Sequence, residues 1–506
     1  MSDDFYRKTA EKQSSYTLTL PTGRGNILDC NFTPLVNESY EYIAAVLPTD
    51  QNFPLMLQHA VGYSEEELAQ LYSSQKPFLC RVDTYQILDE HIQVFPLYKR
   101  YTDQTTAAHV IGYLNEEQKG ISGIEKAYDE FLTQSITPTT ITYMLNGSGV
   151  GIAKKKPEIH YGNSPNNGVV LTIDKQIQQI AENVGSQYLT KGAIVVMECD
   201  TGKLRAVCSF PSFSPNDLQS SISDTENAPM INRAFTPVSV GSTFKIVTSA
   251  AALISGYEST QEYECTGVYQ LGTERFHCHL LKGHGILDLK NALMVSCNPF
   301  FINLSLTMNP DQILKTANDL SFGKQYELAP GLYTQAGTLP LLEQLINPGQ
   351  IANLSFGQGA LSATTVQLAQ MASAVANGGN TPTPILVEGI TKDGETMIDT
   401  PNLSSIQAMP SAVANQLKEY LTACVMEREG QNAKPSNVSA GGKTATAQTG
   451  IYIEGVEQNH GGFVGFFPAE DPKYVVAVLA ENAETGNENA SPVFREIAEA
   501  ISILGK

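Results

Sequence analysis

A serine and a lysine stand three residues apart in the segment VSVGSTFKIVTSAAALIS, residues 238–255. Gly241 interrupts the preceding segment, and the alanine-rich run after it predicts a helix with Ser242 at its N-terminus. Because residues three apart share a helix face, we expect the amine of Lys245 within reach of Ser242 Oγ. Burial would lower the pKa of the lysine, and a neutral amine can take the serine proton as the oxygen attacks a carbonyl. The alternative is a capping serine followed by a lysine that extends its charge into water.

The tripeptide Ser296-Cys297-Asn298 follows the predicted helix DLKNALMV. A serine at this point can relay a proton between Lys245 and a leaving group, and the Asn298 amide can hold a peptide bond of a substrate. Alone, the pattern is weak evidence, because two proline-containing turns match it, residues 164–166 and 214–216. The tripeptide is therefore informative only together with the first motif.

The segment AGGKTATAQTG, residues 440–450, predicts a strand whose edge lies beside the nucleophile. The Lys443 cation and the hydroxyls of Thr444 and Thr446 can bind a substrate carboxylate there. The Thr446 N–H can also complete an oxyanion hole with the N–H of Ser242, where the helix N-terminus adds positive potential. The three motifs together indicate acyl transfer through a serine nucleophile. The expected catalytic residues are Ser242, Lys245 and Ser296, and the expected substrate-binding residues are Asn298, Lys443, Thr444 and Thr446.

Length and composition limit what can surround this chemistry. A chain of 506 residues exceeds the size at which one hydrophobic core stops growing, so two domains or more are expected. The balance of 32 basic against 52 acidic residues gives a net charge of −20, which repels polyphosphate and argues against nucleic acid as a partner. No apolar run approaches the roughly 18 residues that a membrane crossing needs, and the N-terminus lacks a signal-peptide pattern.

The chain divides at the turn-rich linker HYGNSPNNG, residues 160–168. Before the linker, the runs ILDCN, EYIAAVL and HIQVFPLY predict strands and EEELAQLYSS predicts a helix. After it, VVLTID predicts a strand, residues 175–189 an amphipathic helix, and residues 193–210 a hairpin that turns at Asp200-Thr201-Gly202. Near the C-terminus, residues 460–481 predict two further apolar strands. Strands at both ends with helices between them predict an α+β fold, an antiparallel sheet flanked by a helical lobe.

Ser-x-x-Lys, Ser-x-Asn and a Lys-Thr-Gly-like triplet in this order resemble the signature of penicillin-recognising serine enzymes. Further segments resemble class B penicillin-binding proteins: RGNILDCN, AAHVIGYLNEEQKGISGIEKAYDEFL, PSFSPND, NRAFTP, SFGQGALSATTVQLAQMASAVANGG and FVGFFPAEDP. The resemblance runs from about residue 20 to the end. It implies a transpeptidase domain, residues 169–506, on an extended, strand-rich N-terminal pedestal domain that also serves dimerisation or partner contacts, residues 1–168.

The resemblance implies a monofunctional peptidoglycan D,D-transpeptidase. Ser242 matches the nucleophile, Lys245 its base and Ser296 the proton relay. Asn298 matches the ligand of the substrate amide, and Lys443, Thr444 and Thr446 match the strand that reads the terminal carboxylate. The enzyme would attack the penultimate D-Ala of a stem peptide, release the terminal D-Ala, and pass the acyl group to an amine of a neighbouring stem. β-Lactams should acylate Ser242 and remain bound.

Two residues depart from the pattern of the family. Ala445 stands where the third motif usually has glycine, which adds a methyl group close to the nucleophile. Val240 stands where proline usually precedes Gly-Ser, which should slightly loosen the approach to the nucleophile. We expect an altered fit of ligands and retained activity.

Two other function classes remain open. One is a β-lactam sensor or an inactive scaffold of cell-wall assembly, against which the complete motifs argue. The other is a serine β-lactamase. That enzyme would need a general base to hydrolyse its acyl-enzyme, and we identify no residue for this role in the sequence. By resemblance, the partners are peptidoglycan stem peptides, β-lactams, a membrane glycan polymerase, and division or elongation proteins. The family normally carries a membrane helix just before a segment like the one that opens this chain, which places the protein at the outer face of a bacterial cell membrane.

Three cysteines and a histidine form a candidate metal site, although the chemistry itself requires no cofactor. If residues 263–280 form a hairpin that turns at Leu271-Gly272, Cys265 lies opposite Cys278. His284 and Cys297 would then complete a Cys₃His set, the ligand number of a structural zinc site. The spacing matches no standard zinc finger. The alternatives are a disulfide between Cys265 and Cys278 or three buried thiols that pack as small apolar side chains.

Overall fold

The computed structural model describes residues 15–134, 136–163, 165–453 and 455–505. In its N-terminal part the strands are β1 (Ser15–Thr19), β2 (Asn26–Leu28), β3 (Ser39–Val46), β4 (Phe78–Val82), β5 (Ile92–Lys99), β6 (Thr140–Met144) and β7 (Glu158–His160). The helices of this part are α1 (Phe53–His59), α2 (Glu65–Ser73), α3 (Ala108–Ile111), α4 (Gly123–Ala127) and α5 (Asp129–Thr133). The predicted helix EEELAQLYSS is confirmed as α2, which begins with a capping box between Ser64 and Glu67.

The N-terminal part is built on two antiparallel sheets, ordered β4-β3-β5 and β1-β6-β7. Strand β3 is buried on both faces, because its side chains alternate between two small cores. Ala44 and Val46 pack with α1 and α2, whereas Ile43 and Ala45 pack toward β1 and β6. The extended, strand-rich pedestal predicted from the sequence is thereby confirmed as an architecture.

A buried ion cluster links three separate segments of the N-terminal part. Glu125 is fully buried and accepts hydrogen bonds from Arg24 Nε and Arg100 Nε, each at 2.7 Å. Arg24 also donates to Asp129 Oδ1 at 2.7 Å, and Tyr101 donates its hydroxyl to Glu125 at 3.1 Å. Paired and hydrogen-bonded in this way, the charges offset the cost of leaving water.

The remaining strands are β8 (Gly168–Leu171), β9 (Gly192–Glu198), β10 (Leu204–Phe210), β11 (Tyr263–Cys265), β12 (Val268–Leu271), β13 (Glu274–His277), β14 (Gly285–Leu287), β15 (Glu327–Ala329), β16 (Leu332–Tyr333), β17 (Asn380–Pro382), β18 (Val387–Thr391), β19 (Met397–Ile398), β20 (Ser405–Gln407), β21 (Gly441–Ile453), β22 (Val456–Phe467) and β23 (Tyr474–Ala480). The remaining helices are α6 (Lys175–Tyr188), α7 (Leu218–Ser223), α8 (Lys245–Ile254), α9 (Leu289–Met294), α10 (Asn298–Leu306), α11 (Pro310–Asp319), α12 (Pro348–Ser355), α13 (Thr365–Ala376), α14 (Ser411–Met426), α15 (Gly486–Asn489) and α16 (Ser491–Ile503). Short 3₁₀ helices cover Gly241–Phe244 and Leu342–Ile346.

A five-stranded antiparallel sheet, ordered β10-β9-β23-β22-β21, carries the C-terminal part. One face packs against α6 and α16. The other, which we call the inner face, packs against α13 and the helices next to the serine-lysine and Ser296–Asn298 motifs. Strands buried on both faces read as continuous apolar runs, as β9 and β23 do. The predicted sheet, its flanking helices and its helical lobe are all confirmed.

The two parts share one smaller sheet. Strand β2 pairs in parallel with β8, and β8 pairs in turn with β18 in the order β19-β18-β8-β2. A segment that precedes the linker in sequence therefore lies in a sheet with strands that follow it. The domain boundary at residue 168 stays a prediction. Within the described ranges, none of the helices combines the length and the apolar character that a bilayer crossing demands.

We expect Glu125→Ala to lower the free energy of unfolding by about 3 kcal/mol, because the change leaves Arg24 and Arg100 buried without their shared anion. The measurement is urea denaturation, in which the midpoint concentration and the slope of the transition give the free energy of unfolding. Glu130→Ala, at an exposed position on the next helix, is the matched control and should change the value by less than about 0.5 kcal/mol. Equal losses in the two variants would show that the ion cluster contributes nothing specific.

Candidate active site

The serine of the first motif lies in a tight turn below the edge of the large sheet. The 3₁₀ helix Gly241–Phe244 leads directly into α8, so Ser242 occupies the first turn of a continuous helical segment. Gly241 has φ 54, and a Cβ atom there would lie 2.8 Å from the Thr446 carbonyl oxygen of β21. On its other side, a Cβ at Gly357 would lie 1.9 Å from the Gly241 carbonyl oxygen. Two backbone segments therefore clamp the turn, and each approach requires glycine.

The amine of Lys245 lies at the centre of the site. Its side chain is fully buried, and Nζ lies 3.2 Å from Ser242 Oγ and 3.0 Å from Ser296 Oγ. Nζ also donates to the Ser296 carbonyl oxygen at 2.8 Å and to Asn298 Oδ1 at 2.6 Å. The alternative that this lysine extends into water is wrong.

The surroundings of Lys245 favour the neutral amine. Burial holds its pKa well below the usual value, the charge of Lys443 lowers it further, and Arg428 acts in the same direction. The cysteines of the neighbouring loop, Cys297 and Cys278, oppose this shift. A neutral amine at 3.2 Å can accept the Ser242 proton, which is the property that a general base needs.

Ser296 lies in a turn between α9 and α10 with left-handed backbone geometry, φ 56. This conformation is unfavourable for a residue with a side chain and persists only where the surroundings enforce it. Two backbone hydrogen bonds hold the turn in this conformation. Ser296 N donates to Leu293 O at 3.3 Å, and Cys297 N donates to Ala292 O at 3.0 Å. Asn298 then begins α10. The turn directs the serine hydroxyl and the asparagine amide toward the same lysine.

Strand β21 is the edge strand of the large sheet, so its outer backbone groups can pair with a ligand. Lys443 is buried beside the site, and burial lowers its pKa to about 8, opposed by the nearby Cys424 and supported by Arg428. Thr444 is half-buried and Thr446 is exposed on the other face of the strand. The structure thus brings Ser242, Lys245, Ser296 and Asn298 into direct contact and places Lys443 on the inner face of the neighbouring strand, whereas the side chains of Thr444 and Thr446 lie on the opposite face of that edge strand.

The methyl group of Ala445 lies on the inner face of β21, together with Lys443 and Ala447. The residue opposite on β22 is Gly462, where a Cβ atom would stand 3.4 Å from the Ala445 Cβ. A glycine at position 462 therefore leaves room for the methyl that this chain carries at position 445. A second glycine, Gly486, allows α15 to approach the Ala445 carbonyl oxygen, because a Cβ there would lie 2.1 Å from that atom.

Motif reasoning did not identify Arg428, which follows α14 and adds positive charge near both lysines. Nor did it identify Gly462, which lies opposite Ala445 on β22, or Gly486, whose N–H donates to Thr446 Oγ1 at 3.3 Å. No spacing rule connects these positions to the motifs, because strand pairing and helix packing alone bring them near. The sequence offered one indication of a role for Arg428: it is a charged residue that follows the end of an apolar helix.

The four residues of the candidate metal site converge next to the Ser296 turn. The donor atoms of Cys265, Cys278, His284 and Cys297 all lie within 4.8 Å of one another. The predicted hairpin register is wrong, however. Val268 pairs with His277, which moves the turn to Gly272-Thr273, and Cys265 pairs with Gly285 of β14 instead of Cys278. The cysteines meet because three strand ends converge.

Comparison with known proteins gives a consistent result. Residues 192–499 match the family model described as the penicillin binding protein transpeptidase domain. Stage V sporulation protein D of Bacillus subtilis is 30% identical over 422 residues, which make up 79% of this chain and 63% of that protein. The chain thus spans less than two thirds of this relative. Peptidoglycan D,D-transpeptidase PbpA of Mycobacterium tuberculosis is 28% identical over 385 residues, 71% of this chain and 77% of that protein.

Solved structures share the fold over nearly the whole chain. Penicillin-binding protein A of M. tuberculosis, in a ceftriaxone acyl-enzyme complex, matches with a TM-score of 0.70 at 23% identity and covers 94% of this chain and 98% of its own. Penicillin-binding protein 2 of Helicobacter pylori, in a complex with MreC, matches with a TM-score of 0.69 at 21% identity, over 97% of this chain and 99% of its own. At these identities, the likeness concerns the fold.

We expect Ala445→Gly to change the rate at which penicillins acylate the protein by a modest factor that differs between β-lactam side chains, because the methyl lies on the inner face of β21, which also carries Lys443. Ala477→Gly, a buried glycine substitution in β23 away from the site, is the matched control for loss of strand stability. The measurement is the acylation rate for several β-lactams. Equal ratios for all of them would show that the methyl group does not reach the ligand.

Proposed function

We propose that this chain, which belongs to the penicillin-binding protein transpeptidase family, is a serine D,D-transpeptidase that cross-links peptidoglycan stem peptides. The observation that carries the proposal is the position of the Lys245 amine, 3.2 Å from Ser242 Oγ and 3.0 Å from Ser296 Oγ. One buried amine thereby links the candidate nucleophile to a second hydroxyl that can reach a leaving group. This is the arrangement that acyl transfer with a recycled proton requires.

In the acylation step, Ser242 Oγ attacks the carbonyl carbon of the penultimate D-Ala, and its proton passes to Lys245 Nζ. The C–N bond to the terminal D-Ala breaks, and the proton moves through Ser296 Oγ to the departing amine. The product is an ester between the stem peptide and Ser242. An amine of a neighbouring stem then attacks this ester, gives up a proton along the reverse path, and regenerates the serine.

Backbone and side-chain donors stabilise the charges of this reaction. The N–H groups of Ser242 and Thr446 form the oxyanion hole, and the 3₁₀ turn that follows Gly241 adds the positive potential of a helix N-terminus. Asn298 Oδ1 accepts from Lys245, so its Nδ2 is directed to the substrate carbonyl. The Lys443 cation, with Thr444 and Thr446, binds the terminal carboxylate.

β-Lactams follow the first half of the same path, because their ring carbonyl occupies the position of the scissile peptide bond. They acylate Ser242, and we expect the adduct to persist, as the resemblance to penicillin-recognising enzymes implies. A serine β-lactamase would release the label with time, and a sensor or inactive scaffold would be distinguished by failing to release D-Ala from a stem peptide. Stable labelling with turnover of D-Ala-D-Ala peptides therefore separates the three function classes.

The pedestal suits contacts with other proteins of cell-wall assembly. The H. pylori neighbour was solved in a complex with MreC, and the N-terminal part of this chain exposes apolar side chains: Leu57, Val61, Tyr85 and Leu88. We place such a division or elongation protein on the pedestal and a membrane glycan polymerase beside it. The substrate fixes the location of the enzyme outside the cytoplasmic membrane, and we propose an N-terminal anchor that holds it there.

We expect Ser242→Ala to abolish labelling by a fluorescent penicillin and release of D-Ala, because the attacking oxygen is lost. The melting temperature should stay almost unchanged, since this hydroxyl is half-buried and contributes little to folding. Thr243→Ser, at the next position in the turn, is the control and should still be labelled. A persistent covalent adduct in the Ser242 variant would contradict the assignment.

We expect acylation to show a bell-shaped dependence on pH. Lys245 must be neutral to act as a base, so the rate rises as pH increases through its pKa, which burial holds well below the usual value. Lys443 must be charged to bind the carboxylate, so the rate falls above pH 8, the approximate pKa that burial gives this lysine. Lys443→Arg should remove the falling limb, because arginine stays charged.

We expect Lys245→Ala to slow acylation by about 10²- to 10⁴-fold at every pH, because the base is lost. Lys434→Ala, an exposed lysine on the same part of the chain, is the control. A two-fold effect of Lys245→Ala, or a rising limb that persists in this variant, would show that the lysine has only a structural role.

A further inference from the structure

Three cysteines and one histidine converge beside the Ser296 turn, although they come from separate segments. Cys265 ends β11, Cys278 follows β13, His284 precedes β14, and Cys297 lies between α9 and α10. The three cysteine side chains are almost completely buried, and the imidazole is half-buried. Among the residues that the structure describes, this is the only group of three or more histidine, cysteine or carboxylate side chains whose ligand atoms lie close enough to hold a metal ion. The cluster is outside the reaction path proposed above.

The distances within the cluster fit a tetrahedral metal ion. With Zn–S bonds near 2.3 Å and Zn–N bonds near 2.0 Å, the ligand atoms of a tetrahedron lie about 3.5 to 3.8 Å apart. His284 Nδ1 lies 3.4 Å from Cys278 Sγ and 3.8 Å from Cys265 Sγ. All four donor atoms lie within 4.8 Å of one another, so a small contraction brings them to one centre.

The backbone around the cluster is built to hold these positions. Gly267 and Gly283 both have left-handed geometry, φ 94 and φ 80. A Cβ at Gly283 would lie 2.1 Å from the Cys265 carbonyl oxygen, and a Cβ at Gly267 would lie 2.0 Å from the Leu281 carbonyl oxygen. The two loops that carry Cys265 and His284 therefore interlock through glycine contacts that no other residue allows.

The two alternatives for these thiols explain less of the cluster. A disulfide would use two sulfur atoms and leave the third thiol and the imidazole without a role, and the structure has all eight cysteines free. Buried thiols that act as small apolar groups have no reason to gather three sulfur atoms and an imidazole nitrogen within 4.8 Å of one another. Convergence of four donors of these types is the arrangement of a closed structural metal site.

We propose that Cys265, Cys278, His284 and Cys297 bind one zinc ion as three thiolates and a neutral imidazole, and that this ion holds the Ser296 turn in place. Zinc binding releases the protons of the coordinating thiols. Cys297 is the link to the active site, because it lies between Ser296 and Asn298 and therefore fixes a turn with φ 56 at Ser296. A ligand bond at this residue supplies the constraint that such a backbone requires.

The prediction of bound zinc is independent of the proposed function, whereas the predicted effect of zinc on acylation rests on that function. Because four ligands converge, we expect protein purified without chelators to contain about one zinc ion per chain by elemental analysis. Replacement of zinc by cobalt should give the visible absorption of a tetrahedral thiolate site. Ser242→Ala should retain the zinc and lose acylation, which separates failure of this proposal from failure of the transpeptidase assignment.

Two variants with matched controls test the ligands. Cys265→Ser should lose the zinc, whereas Cys199→Ser, a buried thiol outside the cluster, should keep it. His284→Asn should surrender zinc to a chromophoric chelator much faster than wild type. His279→Asn should not, although His279 Nδ1 lies 4.0 Å from Cys278 Sγ and its ring centroid lies 5.0 Å from that of His284.

A chelator that removes the zinc should lower both the melting temperature and the rate of penicillin acylation, and added zinc should restore both. Less than about a tenth of an equivalent of zinc in the purified protein, with no binding when zinc is added, would overturn the proposal. So would a Cys265→Ser variant that holds as much zinc as Cys199→Ser. If the purified protein holds zinc but its acylation rate is unchanged after the zinc is removed, the link to the Ser296 turn is wrong.

Discussion

The active site depends on one lysine amine that is completely removed from water. A buried amine is costly unless its hydrogen bonds are satisfied, and the lack of water also favours the neutral form over the ammonium. Lys245 meets this condition through Ser242, Ser296 and Asn298, with contacts between 2.6 and 3.2 Å. In the proposed reaction, the same three residues supply the nucleophile, the proton relay and the ligand of the substrate amide, all of which must lie near the base. The hydrogen bonds that stabilise the buried lysine therefore also place the groups of the proposed proton transfer within reach of one another.

This arrangement requires the helical lobe and the sheet edge to approach each other at backbone distance. Gly241 lies between Thr446 of β21 and Gly357 of the loop after α12, with no space for a side chain on either side. Gly462 leaves room for the methyl of Ala445, and Gly486 allows α15 to approach the Ala445 carbonyl oxygen. The cleft is therefore shaped mainly by where side chains are absent. The methyl of Ala445 is accommodated in this cleft because the residue opposite it on β22 is Gly462.

Sequence reasoning was most successful where a local pattern determines the result. The apolar runs of β9, β10, β22 and β23, the amphipathic α6 and the serine-lysine pair on one helical segment all follow from periodicity and from spacing within one element. The hairpin near Cys265 shows where this reasoning stops. Gly272 adopts φ 58, as the first central residue of a two-residue II′ turn requires, and this moves the pairing by one residue on each strand. Cys265 then pairs with Gly285 of β14. Local patterns could not predict this pairing, because they do not show which of two later strands pairs with β11.

By itself, the sequence determined the chemistry that the chain carries: the order of the three motifs, the types of residue in each, and the four potential metal ligands. Those properties depend on residue identity and on short spacings, which a linear chain displays. Tertiary structure alone decided that Lys245 is buried, that Ser296 is held in a left-handed turn, and that Cys297 connects this turn to a second cluster. Burial and convergence depend on contacts between residues far apart in the chain, and these exist only after the sheet and the helical lobe have packed together.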